Sequence, residues 1–129
     1  MSASFTHKNL MDVNDAAPDI GLDEWQVSRF AGGDLAAEET GVAYHRIKPG
    51  TRQGFAHRHE RAEEVYVVLG GSGRVKLDDD IIELRPLDAV RVAPQVFRSW
   101  EAGPDGLELL AFGRRHEGDA EFVQNWWTD

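Results

Sequence analysis

The sequence predicts an all-β sandwich or barrel, on three observations. Short runs of β-branched and aromatic residues recur along the chain. Clusters of Gly, Pro and Asp separate them at regular intervals. No long stretch sustains a helical hydrophobic period.

The elements follow in order. The polar stretch up to Gly21 carries one short piece around Leu10 to Val13. Trp25, Val27 and Phe30 mark a strand that breaks at Gly32-Gly33, and Ala36 to Glu39 is expected to form one helical turn. Gly41 to Lys48 reads as the next strand, closed by Pro49-Gly50. Val65 to Leu69 is apolar throughout and reads as a strand buried on both faces, with Gly70 to Gly73 as a flexible turn after it. Arg74 to Leu77 alternates polar and apolar residues, as a half-exposed strand does. Asp78 to Asp80 bends a hairpin into Ile81 to Leu84, and Pro86 to Asp88 turns into Ala89 to Ala93. Pro94 interrupts, and Phe97 to Trp100 resumes with one of these two rings in the core and the other toward a partner or the tail. Gly103 to Gly106 is a strong turn signal, and Leu107 to Phe112 is the last clear strand.

At 129 residues the chain fits one domain and removes roughly two-thirds of its unfolded surface from water. It has no cysteine, so disulfides and thiolate metal sites are excluded. A formal net charge of −9 repels phosphate backbones, which argues against a nucleic-acid partner. The first residues lack the apolar centre of a secretion signal and no apolar run approaches membrane-spanning length, so a cytoplasmic protein without a membrane partner is expected.

The chemistry-bearing stretch is His57-Arg58-His59 followed by Glu63-Glu64. Histidines two apart on a strand project to one face, and a carboxylate can return beside them on a neighbouring strand. Imidazole and carboxylate together suit a divalent transition metal. Alternation groups Glu64 with Tyr66 and Val68; Glu63 would take its place if the turn were one residue shorter. The same run also reads as a solvated loop of alternating charge. Arg91 and Arg98 flank Pro94, where a guanidinium could hold a substrate carboxylate or phosphate or simply balance an acidic surface. Asp78 to Asp80 lacks the glycine and bidentate glutamate of a calcium loop, and no nucleophile elbow or phosphate-binding loop is present.

Pro49-Gly50, His57-x-His59, Glu64 and Gly71 together resemble the first motif of the cupin superfamily, with Gly50 one place early. Leu87-Asp88 through Pro94 resembles the second motif, with Leu87 and Val96 standing at glycine positions. The resemblance covers roughly residues 40 to 113. It implies a double-stranded β-helix, or jelly-roll barrel, over residues 25–113, with a short N-terminal arm (1–24) and an aromatic C-terminal tail (114–129). That tail, with Phe122, Trp126 and Trp127, is expected to pack on the barrel or on a partner subunit.

The resemblance also implies a metal (Fe, Mn, Ni or Zn) held by His57, His59 and Glu64, and it places Ser99 where the family carries a fourth ligand, a histidine. Serine is a poor ligand for such ions, which leaves three arrangements. A two-histidine, one-carboxylate face can hold the metal; His45, Gln53 or His116 can complete the shell; or the barrel binds its ligand without metal. Tyr66, Arg98 and Ser99 are the expected substrate-pocket residues. The expected function is metal-assisted dioxygenase- or isomerase-type chemistry on a small organic molecule in a homodimer, with a metal-free, non-catalytic binding module as the alternative.

Overall fold

The computed structural model describes residues 4–129, so the first three residues of the N-terminal arm lie outside the described residues. Eight strands form one curled sheet: β1 (Gln26–Phe30), β2 (Gly41–Ile47), β3 (Phe55–His59), β4 (Glu64–Leu77), β5 (Asp80–Leu84), β6 (Ala89–Val92), β7 (Arg98–Gly113) and β8 (Ala120–Gln124). Two single turns of 3₁₀-helix, Leu10–Asp12 and Pro18–Ile20, precede them. The sheet runs β1-β2-β7-β3-β8, while β4 pairs with β5, β6 and β7. This is the all-β barrel that the alternating patterns predict.

The two long strands make the curl. The first half of β4 pairs with the second half of β7, Glu64 opposite Gly113 through Gly71 opposite Leu107. The second half of β4 pairs with the first half of β7, Gly73 opposite Ala102 through Leu77 opposite Arg98. Between these blocks only Ser72 of β4 faces Gly103 to Gly106 of β7, so both strands bend there together.

That bend corrects two expectations. Gly70 to Gly73 and Gly103 to Gly106 are not hairpin turns but lie within continuous strands. Gly71 has φ +78° and its missing Cβ would sit 1.9 Å from the Gly106 carbonyl oxygen. The glycines therefore admit close backbone approach at a corner, without reversing the chain.

Val65 to Leu69 is likewise not buried on both faces. Tyr66 and Val68 point inward, while Leu69 is 44% exposed. The helical turn expected at Ala36 to Glu39 is instead an irregular turn over residues 32–36, ending at Ala36 with φ +54°. The tail contributes a strand the pattern did not reveal, β8, paired with β3 through five residue pairs from Phe55 opposite Gln124 to His59 opposite Ala120.

Inside the barrel, Ala43, Ile47, Tyr66, Val68, Val75, Trp100, Leu107 and Leu109 form the main core with Leu84, Val92, Ala102 and Ala111. Tyr66 and Trp100 stack at 4.7 Å between ring centres. Phe97, at the foot of β7, packs on Trp126 of the tail at 4.7 Å. The tail thus closes on its own barrel. Trp127 lies under the Arg52 guanidinium at 4.4 Å, and Asp129 pairs with Arg52 and Arg74.

Candidate metal centre

Strand alternation assembles the site. His57 and His59, two apart on β3, project to one face, and β4 begins at Glu64 after a short loop. The three side chains converge: His59 Nε2 lies 3.1 Å and His57 Nε2 3.6 Å from Glu64 Oε1. All three donor atoms lie within 4.8 Å of one another. Ligands about 2.1 Å from one ion at 90–110° stand roughly 3.0–3.4 Å apart. Both edges to Glu64 are close to that spacing, so the donor set fits a divalent transition ion. Glu63 points away, pairing with Arg91 on the surface.

Three more groups act on this cluster. Tyr66 donates its hydroxyl to Glu64 Oε1 at 2.5 Å. Arg98, fully buried, donates Nη1 to the same oxygen at 2.8 Å, while Nη2 reaches the carbonyls of Ala93, Pro94 and Val96 and Nε that of Val96. Asp119, just ahead of β8, accepts from the Arg61 and Ala62 backbone amides and brings Oδ2 to 3.2 Å from His59 Nδ1. That last pair has the distance of a hydrogen bond but not its alignment, so Nδ1 counts as unpaired, as does the buried His57 Nδ1.

The charge states follow. Burial alone would raise the Glu64 pKa, but the polar contacts from His57, His59 and Tyr66 reverse this and hold it well below the usual carboxylate range. Burial pushes His57 below the usual histidine range, with Glu64 opposing. We place the negative charge on Glu64, whose counter-ion is Arg98, and the neutral form on His57, as a metal ligand requires. Burial and the Glu64 charge push Tyr66 well up, so it remains a donor.

Two sequence expectations change here. Ser99 does not face the cluster. It points from the opposite side of β7, donating to the Phe55 carbonyl and accepting from Trp127 Nε1. The inward residue beside Glu64 is Arg98, one position earlier, because alternation sends Arg98 and Trp100 inward and Ser99 outward. The place expected for a fourth ligand therefore presents a cation. Arg91 lies on the surface, whereas Arg98 is not a surface charge at all. Of the residues considered to complete a shell, none joins the three: Gln53 is committed to hydrogen bonds with Trp100 and Gln26, His45 turns its Nδ1 to Ser28 Oγ at 2.9 Å, and His116 lines a separate hollow of about 420 Å³ with Arg61 and Glu63. Asp119 was missed. Its only sequence signal is its place at the start of the aromatic tail.

Comparison with known proteins adds the family context. The family described as "Cupin domain" (Cupin_2) matches residues 43–111. No curated protein matches the chain. Among solved structures, a cupin protein from Bacteroides fragilis is 22% identical with a TM-score of 0.70, covering 91% of this chain and 89% of that one. The polyketide cyclase RemF from Streptomyces resistomycificus is 17% identical with a TM-score of 0.75, covering 96% and 87%. An oxalate decarboxylase from B. subtilis is 20% identical with a TM-score of 0.73, covering 92% of this chain and 33% of that one. At these identities the likeness is one of fold. No helix among the described residues is long and apolar enough to cross a membrane.

Proposed function

From the premise that this chain belongs to the cupin family, we propose that it holds a divalent transition metal between His57, His59 and Glu64 and acts on a small organic molecule. The observation that carries the reading is the convergence of two imidazole nitrogens and one carboxylate oxygen at near-coordination spacing. When bound, such an ion polarises an oxygen of the organic molecule at its open positions. The chain's own residues do the rest. Asp119 stands behind His59 and favours the tautomer that presents Nε2 forward. Tyr66 and Arg98 fix Glu64 Oε1 in place, and Arg98 also ties the site to the loop at Ala93 to Val96. Dioxygenase- and isomerase-type chemistry would both suit this arrangement, because an ion held by His57, His59 and Glu64 would supply Lewis-acid polarisation to either. The reading includes a homodimer, supported by the exposed apolar side chains Leu69, Ile81 and Ile82 on β4 and β5 and tested by sedimentation equilibrium.

A second reading is favoured by one observation. The Arg98 guanidinium already compensates Glu64, so the barrel can bind a small molecule without metal and without catalysis. Metal analysis separates the two, on protein purified without chelator or affinity tag and then titrated with Zn(II), Mn(II), Ni(II) and Fe(II). The first reading expects one ion per chain in the parent protein and in Arg74→Ala, and at least tenfold weaker binding in His57→Ala and His59→Ala. No stoichiometric ion in the parent protein, or equal retention by all variants, overturns it.

A further inference from the structure

One imidazole inside the barrel remains unused by the metal centre. His45, on β2, faces the same way as its neighbours Ala43 and Ile47, which belong to the core. The ring is desolvated by its surroundings although the residue keeps some accessible surface, and Phe30 meets it edge-on at 5.5 Å between ring centres. The negative charge of Glu64 acts on it.

Its tautomer is set from a distance. The Trp100 backbone N–H donates to Gln53 Oε1 at 3.0 Å, which fixes the orientation of that amide. Gln53 Nε2 must then donate, and does so to Gln26 Oε1 at 2.5 Å. Gln26 Nε2 donates in turn to Ser28 Oγ at 2.8 Å. Ser28 Oγ lies 2.9 Å from His45 Nδ1. Ser28 is fully buried and its hydroxyl proton has no other acceptor among the described residues, so it goes to His45 Nδ1. Every link but the last imidazole is at least nine-tenths buried, so water does not supply alternatives. Flipping any amide in the chain would set N–H against N–H.

We infer that His45 is a ligand-contacting hydrogen-bond donor. The chain Trp100–Gln53–Gln26–Ser28 holds it as the Nε2–H tautomer, and this N–H, unpartnered among the described residues, receives a carbonyl or carboxylate oxygen of the small molecule bound in the barrel. The inference rests on the small-molecule reading above but not on the metal. With its proton on Nε2, His45 is no metal ligand at that atom. Burial holds the ring's pKa down at about 4, so it remains a neutral donor at pH 7.

The test is long-range ¹H–¹⁵N NMR of the full-length, ¹⁵N-labelled protein at pH 7, titrated with acetamide and, separately, acetate as oxygen-acceptor probes. His45 is expected as the neutral Nε2–H form, with its Nε2–H resonance moving on addition of one probe or both; the stronger responder tells whether the oxygen is carbonyl or carboxylate. Ser28→Ala should release the tautomer into a mixture. His45→Gln, which keeps an N–H near Nε2, should hold probe affinity within twofold, and His45→Leu should lose about fivefold, read at the His57 and His59 rings. An Nδ1–H tautomer in the parent protein, an Nε2–H that answers neither probe, or an unchanged midpoint in His45→Leu overturns the inference. Metal-free protein is used throughout, so a failed metal titration defeats the metal reading alone and leaves these results to decide the role of His45.

Discussion

Arg98→Met decides how the cluster balances its charge. Methionine keeps an unbranched apolar stem like that of arginine but removes the cation, three carbonyl contacts and the pair with Glu64. Arg98 is fully buried, so solvent does not replace what is lost. Breaking one partner of a buried ion pair costs about 3–5 kcal/mol, since the remaining charge stays uncompensated. For a domain of this size that lowers Tm by roughly 10–20 °C. The same change should strengthen metal binding by at least about tenfold, because a positive charge no longer rests on the Glu64 oxygen that faces the ion site. Calorimetric melting with and without Zn(II), beside isothermal titration, reads both effects. The variant should melt early when metal-free and recover most of the loss when metal is added. A Tm within about 3 °C of the parent protein, or metal affinity that falls, would refute the reasoning that Arg98 is the counter-ion of Glu64.

Three further outcomes follow from the geometry. Gly71→Ala should cost about 3 kcal/mol or more, or abolish folding, because a Cβ there meets the Gly106 carbonyl oxygen at 1.9 Å on a backbone of φ +78°. Gly33→Ala, where a Cβ meets nothing within 4 Å, is the control, and equal melting of the two variants contradicts the corner assignment. Asp119→Asn should weaken metal binding about 10–100-fold in titration, since His59 loses the carboxylate behind its ring; unchanged affinity removes Asp119 from the site. For pH, His45 in the folded chain titrates near 4 against an ordinary 6.5, so the folded state binds fewer protons than the unfolded state in that window. Stability therefore rises with pH between about 4 and 6.5 and is lost as pH falls, by about 3 kcal/mol over the window from this ring. Denaturant melts of His45→Gln should flatten that slope, and a slope identical to the parent's would mean the ring is not buried neutral.

Most strands were legible because the inner face of a curled sheet imposes a period of two. Val75 against Arg74 carries that period in plain view, whereas Val65 to Leu69, apolar throughout, concealed it. The glycine clusters were not legible. Gly70 to Gly73 and Gly103 to Gly106 have the composition of hairpin turns, and only the pairing of β4 with β7 along both halves shows that they bend together. Composition reports conformational freedom; whether that freedom serves to reverse a chain or to bend it depends on a partner strand tens of residues away. β8 was hidden for a related reason. Its five residues are mostly exposed and carry no inward–outward alternation of burial, and it exists because β3 offers it a free edge.

The site divides along the same line. His57, His59 and Glu64 were readable because two of them share a strand face and the third opens the adjoining strand. Asp119 could not be read, since its approach to His59 depends on β8 pairing with β3. Arg98 was readable as a residue but not as a position. The resemblance to the second cupin motif pointed to Ser99, and the one-residue difference settles which side chain enters the barrel. The consequence is chemical. A histidine at the inward position would add a neutral donor to the ion, whereas the guanidinium adds a charge to its carboxylate. On the proposed metal-binding reading, affinity at this centre is therefore set by competition between an external cation and an internal one for a single oxygen, Glu64 Oε1. The external ion prevails only where its two imidazole bonds outweigh the Arg98 contact, which makes His57 and His59 the residues on which occupancy turns.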